Sequence, residues 1–274
     1  MNKELSKFGD VKTNISLSKL STFKIGGIAS FLLTISSVQN LVDCLYYLKK
    51  NKIPFFVLGN GSNVLFSDEG FLGVIISLKK LNAIKYEDEL VESEAGVLLS
   101  NISKFCLENE LAGLEFLNDI PGTVGGAICT NAHSYGHKIF DYIESVKKIK
   151  SVVVSVKFKL KKSNKELIKK ELTKFSEKRK TSQPKGLSAG CIFSNPKNFK
   201  AGELIDKTGL KGVRVGGAVV SNKHANFIIN SGIATAKDVL ELTKLIKEKV
   251  FEKFKVTLKL EINIIDKYGK QINI

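Results

Sequence analysis

Only two of the 43 basic residues in this 274-residue chain are arginines, Arg179 and Arg214. Forked donors for bidentate base readout are therefore scarce, and no basic run interleaves with aromatics, so the net charge of +16 does not read as a nucleic-acid surface. Lysine-rich solvated faces account for the charge, with a basic field that gathers anionic substrates as the alternative. Histidine is as sparse, with three in the chain, and the four cysteines form no CxxC pair, which leaves no zinc-ligand spacing and no expected metal. Such widely separated cysteines fit reduced thiols in a cytosolic enzyme. Cys44, Cys106 and Cys129 sit among apolar neighbours and read as core residues. No apolar run reaches the roughly 18 residues that span a bilayer, and the N-terminus carries no apolar stretch of a secretory signal. The sequence therefore predicts a cytoplasmic protein with no membrane association. Internal repeats and low-complexity segments are also lacking, as are the dinucleotide pattern GxGxxG and the Gly-Lys-Ser/Thr of a P-loop.

What the chain does carry is a pair of glycine-rich loops. Gly59-Asn60-Gly61-Ser62-Asn63 follows the apolar run Phe55 to Leu58, and Pro121-Gly122-Thr123-Val124-Gly125-Gly126 lies about 60 residues on. Small residues on tight turns let successive backbone N–H groups approach an anion. Either loop alone reads as a turn; two of them suggest a diphosphate held from two sides.

Helical periodicity places Leu41, Leu45 and Leu48 on one face of a helix capped by Ser36 or Ser37, with Pro54 opening the strand that follows. A second α/β unit begins near Leu81, with a helix around Leu99 to Glu108. Ser163 and Glu166 form a capping box for a helix burying Ile168, Leu172 and Phe175. Thr235 caps another, with Val239, Leu242, Ile246 and Val250 on one face. A strand from Thr257 to Ile265 alternates Leu258, Leu260, Ile262 and Ile264 on one side, which turns Glu261 to the other. From Tyr142 to Lys162 the chain reads β without a break, about 70 Å if it were one strand, so a seam is expected near Lys148 to Ser151.

Thr22-Phe23-Lys24-Ile25-Gly26-Gly27, the Gly59 loop with Asp68-Glu69-Gly70-Phe71, and the Pro121 loop leading to Asn131-Ala132 resemble the UDP-N-acetylenolpyruvoylglucosamine reductase family. So do Gln183-Pro184, Ser188 to Pro196, Ala201 to Ile205, Gly209 to Gly212 and Lys223-His224-Ala225-Asn226-Phe227, in order from about Leu17 to Ile265. The resemblance implies an α+β chain. A FAD-binding domain of the vanillyl-alcohol-oxidase type would span 17–162 (subdomains 17–80 and 81–162) after an N-terminal segment 1–16. A connecting helix, 163–182, would lead to a smaller α+β substrate-binding domain, 183–274. It also implies non-covalent FAD at Lys24, Gly26, Gly27, Gly59, Asn60, Gly61, Ser62, Asn63, Pro121, Gly122, Thr123, Gly125, Gly126 and Asn131. NADPH would be the hydride donor and a UDP-sugar enolpyruvyl ether the substrate.

In the family's reaction a hydride reaches C3 of the enolpyruvyl group, and negative charge spreads from C2 into the carboxylate, so an acid must protonate C2. Cys191 stands where most members carry that acid as a serine, and Glu261 matches a glutamate that assists. The residues alone allow blander readings: a small buried thiol beside a glycine turn, and a solvated carboxylate on a strand. Arg179 matches a substrate-binding arginine or caps its helix's C-terminus; Gln183, Asn195, Lys223, His224 and Asn226 would be further substrate contacts. His224 and Cys191 could instead be read as a hydrolase pair, without a supporting oxyanion motif. Two departures stand out. His133-Ser134 replaces the usual Gly-Ala after Asn131-Ala132, and the segment that normally carries Tyr-Arg-x-Ser is missing at the seam. A flavin oxidase of the same fold and a non-catalytic flavin-binding remnant are the alternative functions.

Overall fold

The computed structural model describes residues 1–272; the last two residues of the expected 183–274 domain lie outside them. Two compact units form, and neither is continuous in sequence: the first takes residues 1–12, 32–60 and 75–181, the second 13–31, 61–74 and the chain from Ser182. The break at 181–182 falls where the connecting helix was expected to end. Residues 17–31 and 61–74, expected within the FAD-binding domain, and 13–16, expected in the N-terminal segment, group with the C-terminal residues in one compact unit. Strand Asn263–Ile265 runs parallel to Val64–Phe66, with Asn263 opposite Val64. The Asp68 carboxylate accepts from the Ala236 and Lys237 N–H groups at 2.8 and 3.1 Å, capping the helix Ala236–Phe254.

In the first unit, Ser37 is the cap of helix Val38–Lys50, its Oγ accepting from Asn40 N at 3.1 Å, and Leu41, Cys44, Leu45 and Leu48 are buried. Strands Ile143–Ile149, Val152–Lys159, Leu90–Glu94 and Ile84–Glu87 make an antiparallel sheet in that order. The expected seam is a two-residue turn: Ile149 pairs with Val152, and Lys150 sits between them at φ +55°. Helix Val124–Thr130 packs on strand Val152–Lys159. Its Cys129 is exposed, not core as expected, whereas Cys44 and Cys106 are buried. The long helix runs Lys165–Ser182 and is capped by Asn164, whose Oδ1 accepts from Leu167 N at 2.9 Å; the expected Ser163–Glu166 box does not form, because the Ser163 N–H is turned to the Glu110 carbonyl. Ile168 and Phe175 are buried there, and Leu172 is half-buried.

The second unit has one apolar core, in which Val239, Leu242, Ile246 and Val250 meet Phe23, Leu65, Ile192, Phe193, Leu258 and Ile262. The alternation Leu258, Leu260, Ile262, Ile264 survives, but paired strand covers only Asn263–Ile265, with a bridge at Leu260. Thr235 and Asp238 form a reciprocal capping box, with Asp238 N on Thr235 Oγ1 at 3.1 Å and Thr235 N on Asp238 Oδ2 at 3.0 Å. Thr235→Ala removes one side of it and is expected to lower stability by about 1 kcal/mol, read as a lower urea midpoint.

Candidate active site

The two glycine loops meet inside the first unit. A Cβ placed on Gly59 would stand 2.6 Å from Thr123 Oγ1 and 3.8 Å from the Cα of Gly126, so a side chain at 59 would have to displace the Thr123 hydroxyl. Thr123 Oγ1 accepts from Gly126 N at 3.3 Å, holding the second loop in its turn. Gly122 and Gly125 pack against Leu99 and Ala95 and serve the fold. Asn131 closes the following helix in the left-handed region at φ +46°, and its buried Oδ1 has no hydrogen-bond partner among the described residues. Pro121 is exposed and Asn60 half-buried.

The remaining expected cofactor residues lie in the second unit. Gly61, at φ +68°, would drive a Cβ to 2.1 Å from the Leu20 carbonyl, so its bare backbone serves packing against residues 20–21 rather than room for a ligand. Gly26 and Gly27 are likewise wedged against Phe66 and against the Asp68–Gly70 backbone, and Lys24 is an exposed left-handed residue at φ +58°. Thr22 staples this loop: its N–H donates to the Gly61 carbonyl at 3.0 Å and its Oγ1 to the Ser188 carbonyl at 2.7 Å. Ser62 is half-buried. Asn63 directs its amide to the Glu261 carbonyl at 3.1 Å. Ser21, which the motif reading passed over, is 2% exposed, and its Oγ has no partner among the described residues. Its only sequence signal was adjacency to Thr22.

Cys191 and Glu261 come together in the same unit. The segment 191–194 is threaded between two others: Cys191 bridges Phe227, Ile192 N–H donates to the Asn226 carbonyl at 2.9 Å, and Glu261 N–H donates to the Ile192 carbonyl at 2.8 Å. Burial pushes the Cys191 thiol up to about 12; the Glu261 charge adds to the rise, and a hydrogen bond with the Asn226 side chain opposes it. The thiol therefore keeps its proton across the working range of an enzyme. Asn226 is 3% exposed, its Nδ2 donates to the Phe193 carbonyl at 2.7 Å and its Oδ1 accepts from Phe193 N at 3.0 Å, so its amide braces the Cys191 segment.

His224 Nδ1 accepts from Asn226 N at 3.3 Å, which places the proton of the neutral ring on Nε2. Burial lowers its pKa, and Lys211 lowers it further. Asn195 Oδ1 accepts from Ala201 N at 2.9 Å, bracing the start of helix Ala201–Lys207; Gln183 is half-buried and Lys223 exposed. In the first unit, Arg179 donates through Nη2 to the Phe116 carbonyl at 3.3 Å and to Ser134 Oγ at 3.2 Å, and lies 5.7 Å from the centre of the Tyr135 ring. Ser134 is thus one of the departures from the usual sequence, and it supplies the arginine with a partner. Among the described residues no group of His, Cys, Asp or Glu could hold a metal ion.

Residues 29–152 match the FAD binding domain family, and 183–265 match the family of the C-terminal domain of UDP-N-acetylenolpyruvoylglucosamine reductase. The class follows: a flavoprotein oxidoreductase with FAD as its cofactor and NADPH as its hydride donor. Two relatives named UDP-N-acetylenolpyruvoylglucosamine reductase are similar over nearly the whole length. The one from Clostridium novyi is 38% identical (97% of this chain, 96% of the relative) and the one from Caldanaerobacter subterraneus subsp. tengcongensis 39% (96% of each). The crystal structure of the reductase from Thermus caldophilus superposes with a TM-score of 0.79 at 34% identity, covering 93% of this chain and 98% of that one. This chain belongs to the UDP-N-acetylenolpyruvoylglucosamine reductase family. The alignment with the Clostridium novyi protein spans 295 positions, more than the 274 residues present here, so that relative carries residues without a counterpart in this chain.

Proposed function

We propose that this protein reduces the enolpyruvyl ether of UDP-N-acetylglucosamine to UDP-N-acetylmuramate in the cytoplasm, for peptidoglycan synthesis. The observation that carries the reading is the half-buried Cys191 thiol, its pKa raised by desolvation and by Glu261, in the C-terminal domain of an FAD-dependent family. The residues present fit FAD. In the first unit, Gly59 and Gly126 both pack on the Thr123 hydroxyl without a side chain of their own, and the buried Asn131 Oδ1, with no partner among the described residues, is a polar atom that a ligand would satisfy. Gly59, Asn60 and the Gly122 to Gly126 turn of the first unit would hold it without a covalent bond.

When bound, FAD supplies a two-electron relay from NADPH to the enolpyruvyl group. Cys191 would give its proton to C2 of the enolate that hydride addition at C3 leaves, completing the saturated lactyl ether. The thiolate left behind is disfavoured by burial and by Glu261, so it regains a proton before the next turnover. Within the second unit, Gln183, Asn195, Lys223 and the Nε2–H of His224 offer charge and hydrogen bonds to the anionic and sugar parts of the substrate. The second reading, a flavin binder without turnover, is favoured by one observation: the two-residue turn at Lys150-Ser151, at the seam where the family's arginine-bearing segment is missing.

Purified protein should show the visible absorbance of flavin, and NADPH oxidation should depend on the enolpyruvyl sugar nucleotide. A colourless protein that takes up no FAD sinks the first reading; flavin without substrate-dependent turnover leaves the second. Gly59→Val, whose Cβ must displace the Thr123 hydroxyl that holds the second loop, is expected to weaken FAD binding by about 100-fold. A Gly59→Val protein that purifies yellow removes this assignment.

A further inference from the structure

Asn63 sits in the loop expected to grip a cofactor, yet its side chain is committed to the protein. Its Nδ2 donates to the Glu261 carbonyl at 3.1 Å, while its own carbonyl accepts from the Asn263 N–H at 3.0 Å and from Asn263 Nδ2 at 3.3 Å. The parallel ladder begins one residue later, with Val64 opposite Asn263. The Asn63 amide therefore adds a rung beyond the point where the two backbones pair, and that rung falls on Glu261.

The other main-chain group of Glu261 is fixed as well, its N–H donating to the carbonyl of Ile192, next to Cys191. In extended chain the direction of a side chain follows from its two flanking peptide planes. One plane at Glu261 is set by the Cys191 segment, and the other by Asn63. Asn226 braces the same segment at Phe193 by both atoms of its amide.

We infer that Asn63 is a positioning residue, which holds Glu261 at its working distance from the Cys191 thiol and the carbon it protonates. Flavin is held by the main chain of this loop, whereas the Asn63 side chain serves proton delivery in the second half-reaction. The inference rests on the reductase reading proposed above.

The test uses the full chain in four forms: unaltered, Asn63→Ala, Glu261→Gln and the double variant. Stopped-flow absorbance follows flavin reduction by NADPH, then reoxidation by the enolpyruvyl sugar nucleotide, with FAD affinity measured alongside. Asn63→Ala is expected to bind FAD and to be reduced within about threefold of the unaltered protein, because the main chain of the loop is intact. Its limiting reoxidation rate should fall by about 10- to 100-fold, the scale of a misplaced group near the chemistry, with substrate affinity little changed. The double variant should be no slower than Glu261→Gln, since a residue that acts only through Glu261 has nothing left to position. Additive losses in the double variant overturn the inference, as does weakened FAD binding with unchanged reoxidation. An unaltered protein that takes up FAD and accepts hydride but never reoxidises with substrate overturns the reductase reading itself, and the inference with it.

Discussion

Replacing Cys191 by alanine is expected to leave reduction of the flavin by NADPH near its original rate and to slow reoxidation by the enolpyruvyl substrate by roughly 10³-fold or more. Only the second half-reaction consumes a proton at carbon, so only it feels the loss. Cys191→Ser should be far milder, because a hydroxyl can fill the same place and donate the same proton. The pH profile separates this account from a structural one. With the thiol pushed up to about 12, Cys191 contributes no alkaline limb to reoxidation through the neutral and mildly alkaline range. The group is protonated below that value and lost as a donor only on passing above it. Rapid alkylation of Cys191 at neutral pH, or equal loss of both half-reactions in the alanine variant, would sink the acid role.

The second large effect concerns the segment between Ile149 and Val152. Inserting a turn-bearing stretch with Tyr-Arg-x-Ser there is expected to raise reoxidation by about 10²–10³-fold without changing flavin reduction, the worth of one preorganised donor to a developing oxyanion. The unaltered chain offers poor substitutes. Lys148 and Lys150 are point charges without a forked donor. Arg179 has the fork, but its Nη2 is committed to the Phe116 carbonyl and Ser134, and burial lowers its pKa. Single-turnover reoxidation already at tens per second in the unaltered protein would mean that one of these residues carries the role after all.

Much of this was legible in the residues because local rules decided it. The leucine spacing after Ser37, the Thr235 cap and the Tyr142–Lys162 seam are each fixed by neighbours within a few positions, and the structure follows them. What escaped depends on distant pairing. Nothing near residues 61–74 shows that their strand adds to Asn263–Ile265, so the interleaved units could not be read from order along the chain. The roles of the asparagines were hidden for the same reason. Asn63 and Asn226 resemble ligand contacts by motif, yet Glu261 and Phe193, which take up their amides, lie 198 and 33 residues away. Glycines mislead similarly: Gly59 faces another loop of its own unit, whereas Gly61 faces its own backbone at Leu20, and no periodicity distinguishes the two.

Lys150 adopts a left-handed conformation at the tip of a hairpin whose strands pair right up to Ile149 and Val152. Any sequence spliced in at that tip must begin and end only about 5 Å apart, a constraint that long loops meet readily. Each doubling of such a loop adds only about 0.6 kcal/mol of closure entropy. Gain or loss of a whole catalytic element at this point is therefore nearly silent in stability, and selection can perceive it only through turnover. The scaffold can be inherited intact while its reactivity is dialled up or down at one exposed hinge of sequence.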